Sequence, residues 1–476
     1  MPAGDLRLFS DTASSREVAG RLQDFRDDPI RVMTGLHEQC GDCATFTEGA
    51  SQLHFVFSPQ LNRELLTQPE NFHSSFFAVR GSRSSAQRRL TSGLLSMNGQ
   101  QHKQSRRTVQ TVFQRQAIQG YLPTIQRFTE EMLDSWQTRR EINLCREMTE
   151  LMLRVTSTVL FGLSDHDSAF EIGRMIDEWV HLNHEIGIGA LVSDVGISEQ
   201  YAELLGFAER LEVEIAQLIL HRRSDTSDRH DVLSMLQGAH ESSGNLGAEE
   251  LIGQTALIFA AAHLTTAHSL TWGLFLLAQH PSVMQRVWKE FHAHLHDGFP
   301  SPEEVARLVE CELALKESMR ILPASAYSQR IATVATQLGG MSLPKYSVVI
   351  FSQYITHRRR EFYADPAAYI PHRWAALSPS PYAYLPFGAG SRMCVGGPLA
   401  MLILKTAIPT ILQRYKLTMV PHSDVSGRVV STMLSPSGPI WMRLSSPDGR
   451  FTAEPVTGNI HSLIDLREVR RRRAAA

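Results

Sequence analysis

Residues 387–396 read Phe387-Gly388-Ala389-Gly390-Ser391-Arg392-Met393-Cys394-Val395-Gly396, and a helical pattern follows over 397–415. Glycines at 388, 390 and 396 permit a backbone with φ > 0 and a close approach to a flat ligand. A cysteine just before a helix N-terminus feels the positive end of the dipole and its free N–H groups, and both favour thiolate. Arg392, two residues earlier, adds a positive charge. The pattern suits a ligand-binding thiolate loop. A buried cysteine in an irregular loop would satisfy the same residues.

Outward from this loop the chain reads as mostly helical. Apolar residues recur at three- and four-residue spacing through 124–136, 147–161 and 199–219, which predicts helices. Ser301-Pro302-Glu303-Glu304 predicts a helix start, with Ser as cap, Pro in the first turn and Glu304 as capping-box partner. Strand composition appears at 53–57, through 330–351 and in the last stretch to 444. Residues 222–231 are rich in Ser, Thr and Asp and predict a surface loop. No repeat or long linker is evident. The expected organisation is a lead-in over 1–20, one domain over 21–445 and a tail over 446–476 that ends in basic residues 470–473.

The 476 residues are 43% hydrophobic and 20% charged, with a formal net charge of −2. This is ordinary globular composition with ample core, and it gives no reason to expect nucleic acid. Five cysteines are too few and odd in number for a disulfide framework, and they fit a reducing compartment. Cys40 and Cys43 have redox or zinc spacing, but no second pair completes a site, so a structural role is expected. Residues 1–20 carry Asp5, Asp11 and Glu17 and no apolar core, so neither a secretory signal nor a membrane anchor is expected.

The stretch 251–285 contains no Asp, Glu, Lys or Arg and has the length of a membrane span. Gln254, His263, Thr265, Thr266, His268 and Ser269 lie within it, and such groups are costly in lipid. A buried central helix is the expectation. On it His263 and His268 would point roughly 140° apart, too far to share a metal.

Residues 387–396 resemble the haem-binding signature of the cytochrome P450 superfamily, Phe-x-x-Gly-x-Arg-x-Cys-x-Gly, at every fixed position. Three further motifs fall in the family's order, so the resemblance covers roughly residues 20–445. It implies a mainly α fold with small β-sheets, in a single domain. Haem b (iron protoporphyrin IX) would lie between a long central helix and the cysteine loop, with Cys394 as the iron's thiolate ligand. A thiolate ligand pushes electron density into the iron and favours O–O cleavage. Phe387, Gly388 and Gly396 are implied cofactor contacts, and Arg392 a propionate partner.

Glu317-Ser318-Met319-Arg320 is similar to the family's Glu-x-x-Arg pair, whose members face each other at i, i+3. Pro371-His372-Arg373-Trp374 resembles the segment whose arginine completes that structural ion triad. His357 resembles a structural position before it. His102 and Arg106 resemble a His-x-x-x-Arg motif that meets a propionate, and Arg330 a further propionate partner. Residues 261–266, Ala-Ala-His-Leu-Thr-Thr, resemble the oxygen-activation segment, with Ala261 and Thr265 over the haem. The Thr265 hydroxyl is implied to assist protonation. The acid usual before this threonine is Leu264, and the usual glycine is Ala262. Protons would then arrive by another group or by water, or the chemistry is not ordinary hydroxylation.

By the same resemblance the pocket draws on Phe76, Phe77 and Val79, on 179–191, on 322–327 with Ala324 and Ser325, and on 432–434 with Met433. Most are apolar, which suits a hydrophobic small-molecule substrate of terpenoid, steroid, fatty-acid or polyketide-like type, as in secondary metabolism. The implied reaction inserts one oxygen atom into a C–H or C=C bond. The other atom leaves as water after two electrons and two protons. No flavin domain fits in the chain, so NAD(P)H would act indirectly, through a ferredoxin or flavodoxin with its reductase. A monomer in a bacterial cytoplasm is expected. One rival is a haem-thiolate catalyst of peroxide-driven oxidation, ring formation, desaturation or rearrangement, motivated by Leu264. The other is a non-catalytic haem sensor or carrier, against which Thr265 argues.

Overall fold

The charge-free stretch folds into the helix Ala248–Gln279, and His280 separates it from the next helix, Pro281–His294. The computed structural model describes residues 16–75, 79–162, 166–189, 197–224, 231–243, 248–294 and 300–466. Among the described residues no helix is long and apolar enough to cross a membrane. The central helix is apolar on nearly every side because helices pack round it, Leu144–Phe161 most extensively. Two of its polar side chains are held by other elements. Gln254 accepts from the Leu94 N–H (3.1 Å) and donates to Ser105 Oγ (2.6 Å). His263 lies between Asp177 Oδ1 (2.8 Å) and the Thr149 carbonyl (3.1 Å). Gly253 and Gly93 let two segments touch: a Cβ on Gly253 would meet Arg89 O at 2.7 Å and Gly93 N at 2.8 Å.

The predicted helices are present as Leu122–Ser135, Leu144–Phe161 and Ile197–Ser224. Ser301 and Glu304 form the capping box of Pro302–Arg307. Helix Gly397–Arg414 follows the cysteine loop. Within the predicted strand stretches, Thr336–Leu338 pairs with Met341–Leu343 and Gly427–Val430 with Met433–Pro436 as two small local sheets, while other strands pair at long range. Ser328–Ala332 and Val348–Phe351 join N-terminal strands in a six-stranded sheet, in the order Arg16–Ala19, Cys43–Glu48, Ser51–Val56, Val348–Phe351, Ser328–Ala332, Phe72–His73. Cys43, buried in this sheet, donates its thiol to the Gly339 carbonyl at 3.5 Å, in keeping with a structural role.

Three boundaries differ from expectation. Arg16–Ala19 already pairs in parallel with residues 44–47, so ordered structure begins inside the lead-in. The second half of the described tail joins the core: Val456, Ile460, Leu463, Ile464 and Leu466 are buried, and Asp465 bridges to Ala368. Its apolar side chains are too few for a periodic signal but enough to seal one corner. Basic residues 470–473 lie outside the described residues. The expected surface loop begins as helix, since Ile197–Ser224 runs into it; residues 225–230 lie outside the described residues, and on either side of them Arg222 and Asp231 form a buried ion pair. Composition reads both as loop residues, whereas burial makes each the other's counter-charge.

Candidate active site

The cysteine loop is shaped by its glycines. Gly388 (φ 67°) and Gly390 (φ 70°) both take the left-handed conformation. A side chain at 390 would also strike the Leu66 carbonyl, at 2.5 Å from its Cβ. The turn is closed by the Cys394 N–H donating to Phe387 O (2.8 Å) and the Gly388 N–H to Leu385 O (3.0 Å). Cys394 sits deep in the molecule yet presents free surface. Burial raises its thiol pKa above the ordinary value. The N–H groups of Gly396 and Gly397, which bond the sulfur, and the Arg106 charge oppose this. A metal cation would displace the remaining proton, because the thiolate is the ligand form.

Behind the loop, Glu317 is fully buried and accepts from five N–H donors. These are Arg320 Nε (2.9 Å) and Nη2 (2.8 Å), Arg373 Nε (3.0 Å), Trp374 Nε1 (2.9 Å) and the Ile370 backbone (3.0 Å). Arg320 also donates to the carbonyls of His357, Pro366 and Ala368. His357 links this assembly to the loop. Its Nε2 accepts the Leu385 N–H (2.7 Å), while Nδ1–H donates to Arg320 O (3.2 Å). Burial, then the Arg320 charge, push its pKa down to about 3, so the ring is neutral. Trp374, although inside the quoted motif, has a role that sequence spacing does not reveal.

In front of the loop the structure brings together His102, Arg106, Arg330 and Arg392. Arg106 Nη2 donates to Met393 O (2.7 Å) and Arg330 Nη1 to Gln329 O (2.7 Å). Arg392 donates to Asn98 Oδ1 (2.6 Å) and to the Met97 carbonyl. Burial, then Arg330 and Arg106, lower the Arg392 pKa to about 10. Burial lowers Arg330 to about 10. Burial, then Arg392, Arg106 and Arg330, press His102 down to about 4. His73, which sequence reasoning did not single out, feels the same Arg392 charge. Among the described residues no carboxylate bonds to any of these three arginines. Three converging guanidinia without an acid are a receptor for carboxylates.

The central helix supplies the apolar wall. Ile258, Ala262, Thr265, His268 and Ser269 are half-buried and Ala261 is exposed, although the helix runs through the core. All six lie within about 60° of Thr265 on the helix circumference, so one face opens to a cleft. The Thr265 hydroxyl donates to Ala261 O and that of Ser269 to Thr265 O, both at 2.8 Å. Two predicted pocket segments meet: Ser325 bridges to Met433, and the Leu434 N–H donates to Ala324 O (3.1 Å). Val79 packs partly on the core and its carbonyl accepts from Gln87 Nε2 (3.0 Å). Phe76 and Phe77 lie outside the described residues. Trp179, expected near the pocket, is instead fully buried and donates to Gln87 Oε1 (2.8 Å).

These donors fit an iron porphyrin, whose metal would take the Cys394 sulfur and whose two carboxylates would take the guanidinia. The sequence model of the family described as Cytochrome P450 matches residues 14–440; the chain belongs to that family and is a haem-dependent oxidoreductase. It is 28% identical to the cyclooctat-9-en-7-ol 5-monooxygenase of Streptomyces melanosporofaciens, over 83% of this chain and 87% of that one. It is 25% identical to the pentalenene oxygenase of Streptomyces avermitilis, over 88% and 93% respectively. Among solved structures it is similar to the haem domain of cytochrome P450DA, with a TM-score of 0.78 at 20% identity over 92% of this chain and 100% of that one. A cyanobacterial structure with retinoic acid bound gives a TM-score of 0.76 at 21% identity, over 91% and 99%. The mainly α single-domain architecture is the one expected.

Proposed function

We propose that this protein is a haem monooxygenase that hydroxylates or epoxidises a hydrophobic cyclic terpenoid. The observation that carries the reading is Cys394, with its sulfur bonded by two N–H groups, beside a cluster of arginines that lacks an acid of its own. The named relatives act on cyclic terpenoids, which supports the substrate class. Cys394 holds the iron, and Arg106, Arg330, Arg392 and His102 hold the two propionates. Phe387, Gly388 and Gly396 give the loop its flat approach. Bound haem supplies dioxygen activation: one oxygen atom enters the substrate, and the other leaves as water with two electrons and two protons.

Thr265 Oγ1 donates to Ala261 O, which leaves its lone pairs to accept a hydrogen bond from water in the cleft. Leu264 offers no proton, so water positioned by the Thr265 hydroxyl supplies the protons in the absence of a neighbouring acid. Ala261 and Ala262 leave room above the helix for the substrate, and the apolar walls exclude bulk water. Electrons come from NAD(P)H through a ferredoxin or flavodoxin and its reductase, in the cytoplasm.

Turnover of cyclic terpenes with NADPH, ferredoxin, reductase and heavy-isotope dioxygen tests this. One labelled oxygen atom per product, formed only with reductant, supports it. Product that lacks the label overturns it. Leu264 in the acid's place favours a second reading, a peroxide-driven catalyst, which would turn over equally well with hydrogen peroxide and no reductant.

A further inference from the structure

The open face of the central helix carries three polar side chains, and they are not equivalent. The hydroxyls of Thr265 and Ser269 are committed to backbone carbonyls of their own helix. His268, one turn beyond Thr265, is half-buried, and its Nδ1 lies 3.4 Å from Ser435 Oγ. Its Nε2 has no hydrogen-bond partner among the described residues. Ser435 belongs to strand Met433–Pro436, whose first residue bridges to Ser325. One turn further on, Trp272 is fully buried and donates to the Leu434 carbonyl (3.0 Å), which seals helix to strand. His268 is thus the last open polar group of the face, set where the helix meets the predicted pocket strands.

Burial, then the neighbouring His263, hold the His268 pKa down to about 4, so the ring is neutral near pH 7 and is a poor acid there. In either tautomer one ring nitrogen can pair with the Ser435 hydroxyl and the other keeps one hydrogen-bonding valence. An open ring-nitrogen valence on this face offers a substrate oxygen a hydrogen bond that a hydrocarbon cannot make.

We propose that His268 is a specificity-determining residue that selects substrates already bearing one oxygen function, a hydroxyl or ketone, remote from the carbon to be oxidised. The inference rests on the terpenoid reading and deepens it. A site built to hydrogen-bond a substrate hydroxyl rejects the analogue that lacks it much more strongly than an apolar pocket rejects an extra hydroxyl. The place in a reaction sequence follows. The substrate is supplied by a reaction that installs oxygen on the ring system, either a water-quenched cyclisation or a previous hydroxylation, and not directly by a hydrocarbon-forming cyclisation.

The test uses the haem-loaded protein and matched pairs of C15 and C20 cyclic terpenes, each hydrocarbon beside its monoalcohol, cyclooctat-9-en-7-ol included. Affinity is read by the spin-state shift of the haem band and by equilibrium dialysis. Wild type should bind at least one alcohol about tenfold or more tighter than its hydrocarbon. His268→Phe should erase that preference while leaving hydrocarbon affinity within about threefold. His268→Gln, which keeps a donor and an acceptor, should restore part of it and serves if the Phe variant fails to fold. Equal affinities for alcohol and hydrocarbon in wild type, or an alcohol preference that survives in His268→Phe, would overturn the inference and leave the terpenoid reading standing. Binding of neither member of any pair would overturn the terpenoid reading, and the inference with it.

Discussion

Two arginine assemblies flank the cysteine loop, and they are built to opposite rules. The Glu317–Arg320–Arg373 assembly carries its own carboxylate, and every Glu317 oxygen is bonded at 2.8–3.0 Å. The Arg106–Arg330–Arg392 cluster, with His102, has converging positive charge and only carbonyls and one amide as acceptors. Burial alone does not separate them, since Arg320 and Arg330 are both buried. The difference lies in the counter-charge. An assembly that closes on itself braces a fold, and one that lacks its anion is shaped for a ligand.

Breaking the closed assembly should have the largest effect. Glu317→Ala leaves two buried guanidinia without a counter-charge, a loss of about 3–5 kcal/mol. Denaturant unfolding, or the yield of folded protein, would show it. Breaking the open cluster should do the reverse in haem-free protein. Arg330→Leu or Arg392→Leu removes a like charge, so folding stability holds or rises. The rate of haem transfer to apomyoglobin should then rise by about tenfold or more per guanidinium lost.

The third effect is a pH dependence. His357, His102 and His268 have folded pKa values of about 3, 4 and 4, below the ordinary histidine value. The unfolded chain therefore binds protons that the native chain refuses, and stability falls as pH drops from about 6.5 towards 3. Thermal melts of His357→Gln against wild type between pH 7 and 4 should show a shallower loss in the variant. If the proposed propionate contact holds, carboxylates beside His102 would raise its pKa, and haem-loaded protein should lose less over that range than haem-free protein.

Gly253→Ala comes next. It drives a methyl into Arg89 O and Gly93 N and should cost about 1–3 kcal/mol, read by unfolding. Smallest in stability is Thr265→Ala, which gives up one back-bond to Ala261 O. Its signature is functional: product formed per NADPH consumed should fall several-fold, and unchanged coupling would remove Thr265 from proton handling.

The cysteine loop and the triad were legible because their chemistry is written in contiguous residues. Glycines at fixed offsets from Cys394 set the turn, and Glu317 faces Arg320 at one helical turn. Arg330 and His102 were legible only through resemblance, because charge pattern alone cannot show that the 227 residues of intervening chain fold them together. What stayed hidden depends on long-range partners. The Arg222–Asp231 pair looks like loop composition, and residues 456–466 carry too few apolar side chains to announce a core element. Trp179 reads as pocket lining until Gln87 is seen to hold its indole. In the sequence His268 stands out only beside His263, as a metal pair that helix geometry excludes. Its open valence depends on Ser435, far along the chain, and no spacing rule reaches that distance.

The central claim is that Cys394 is the iron ligand, and the absorption spectrum of the reduced, carbon monoxide-bound protein tests it most directly. Wild type should give the strongly red-shifted Soret band of a thiolate-ligated ferrous complex, and Cys394→Ala should lose it. A wild-type band at the position typical of histidine ligation, or a red-shifted band that survives in Cys394→Ala, would contradict the account.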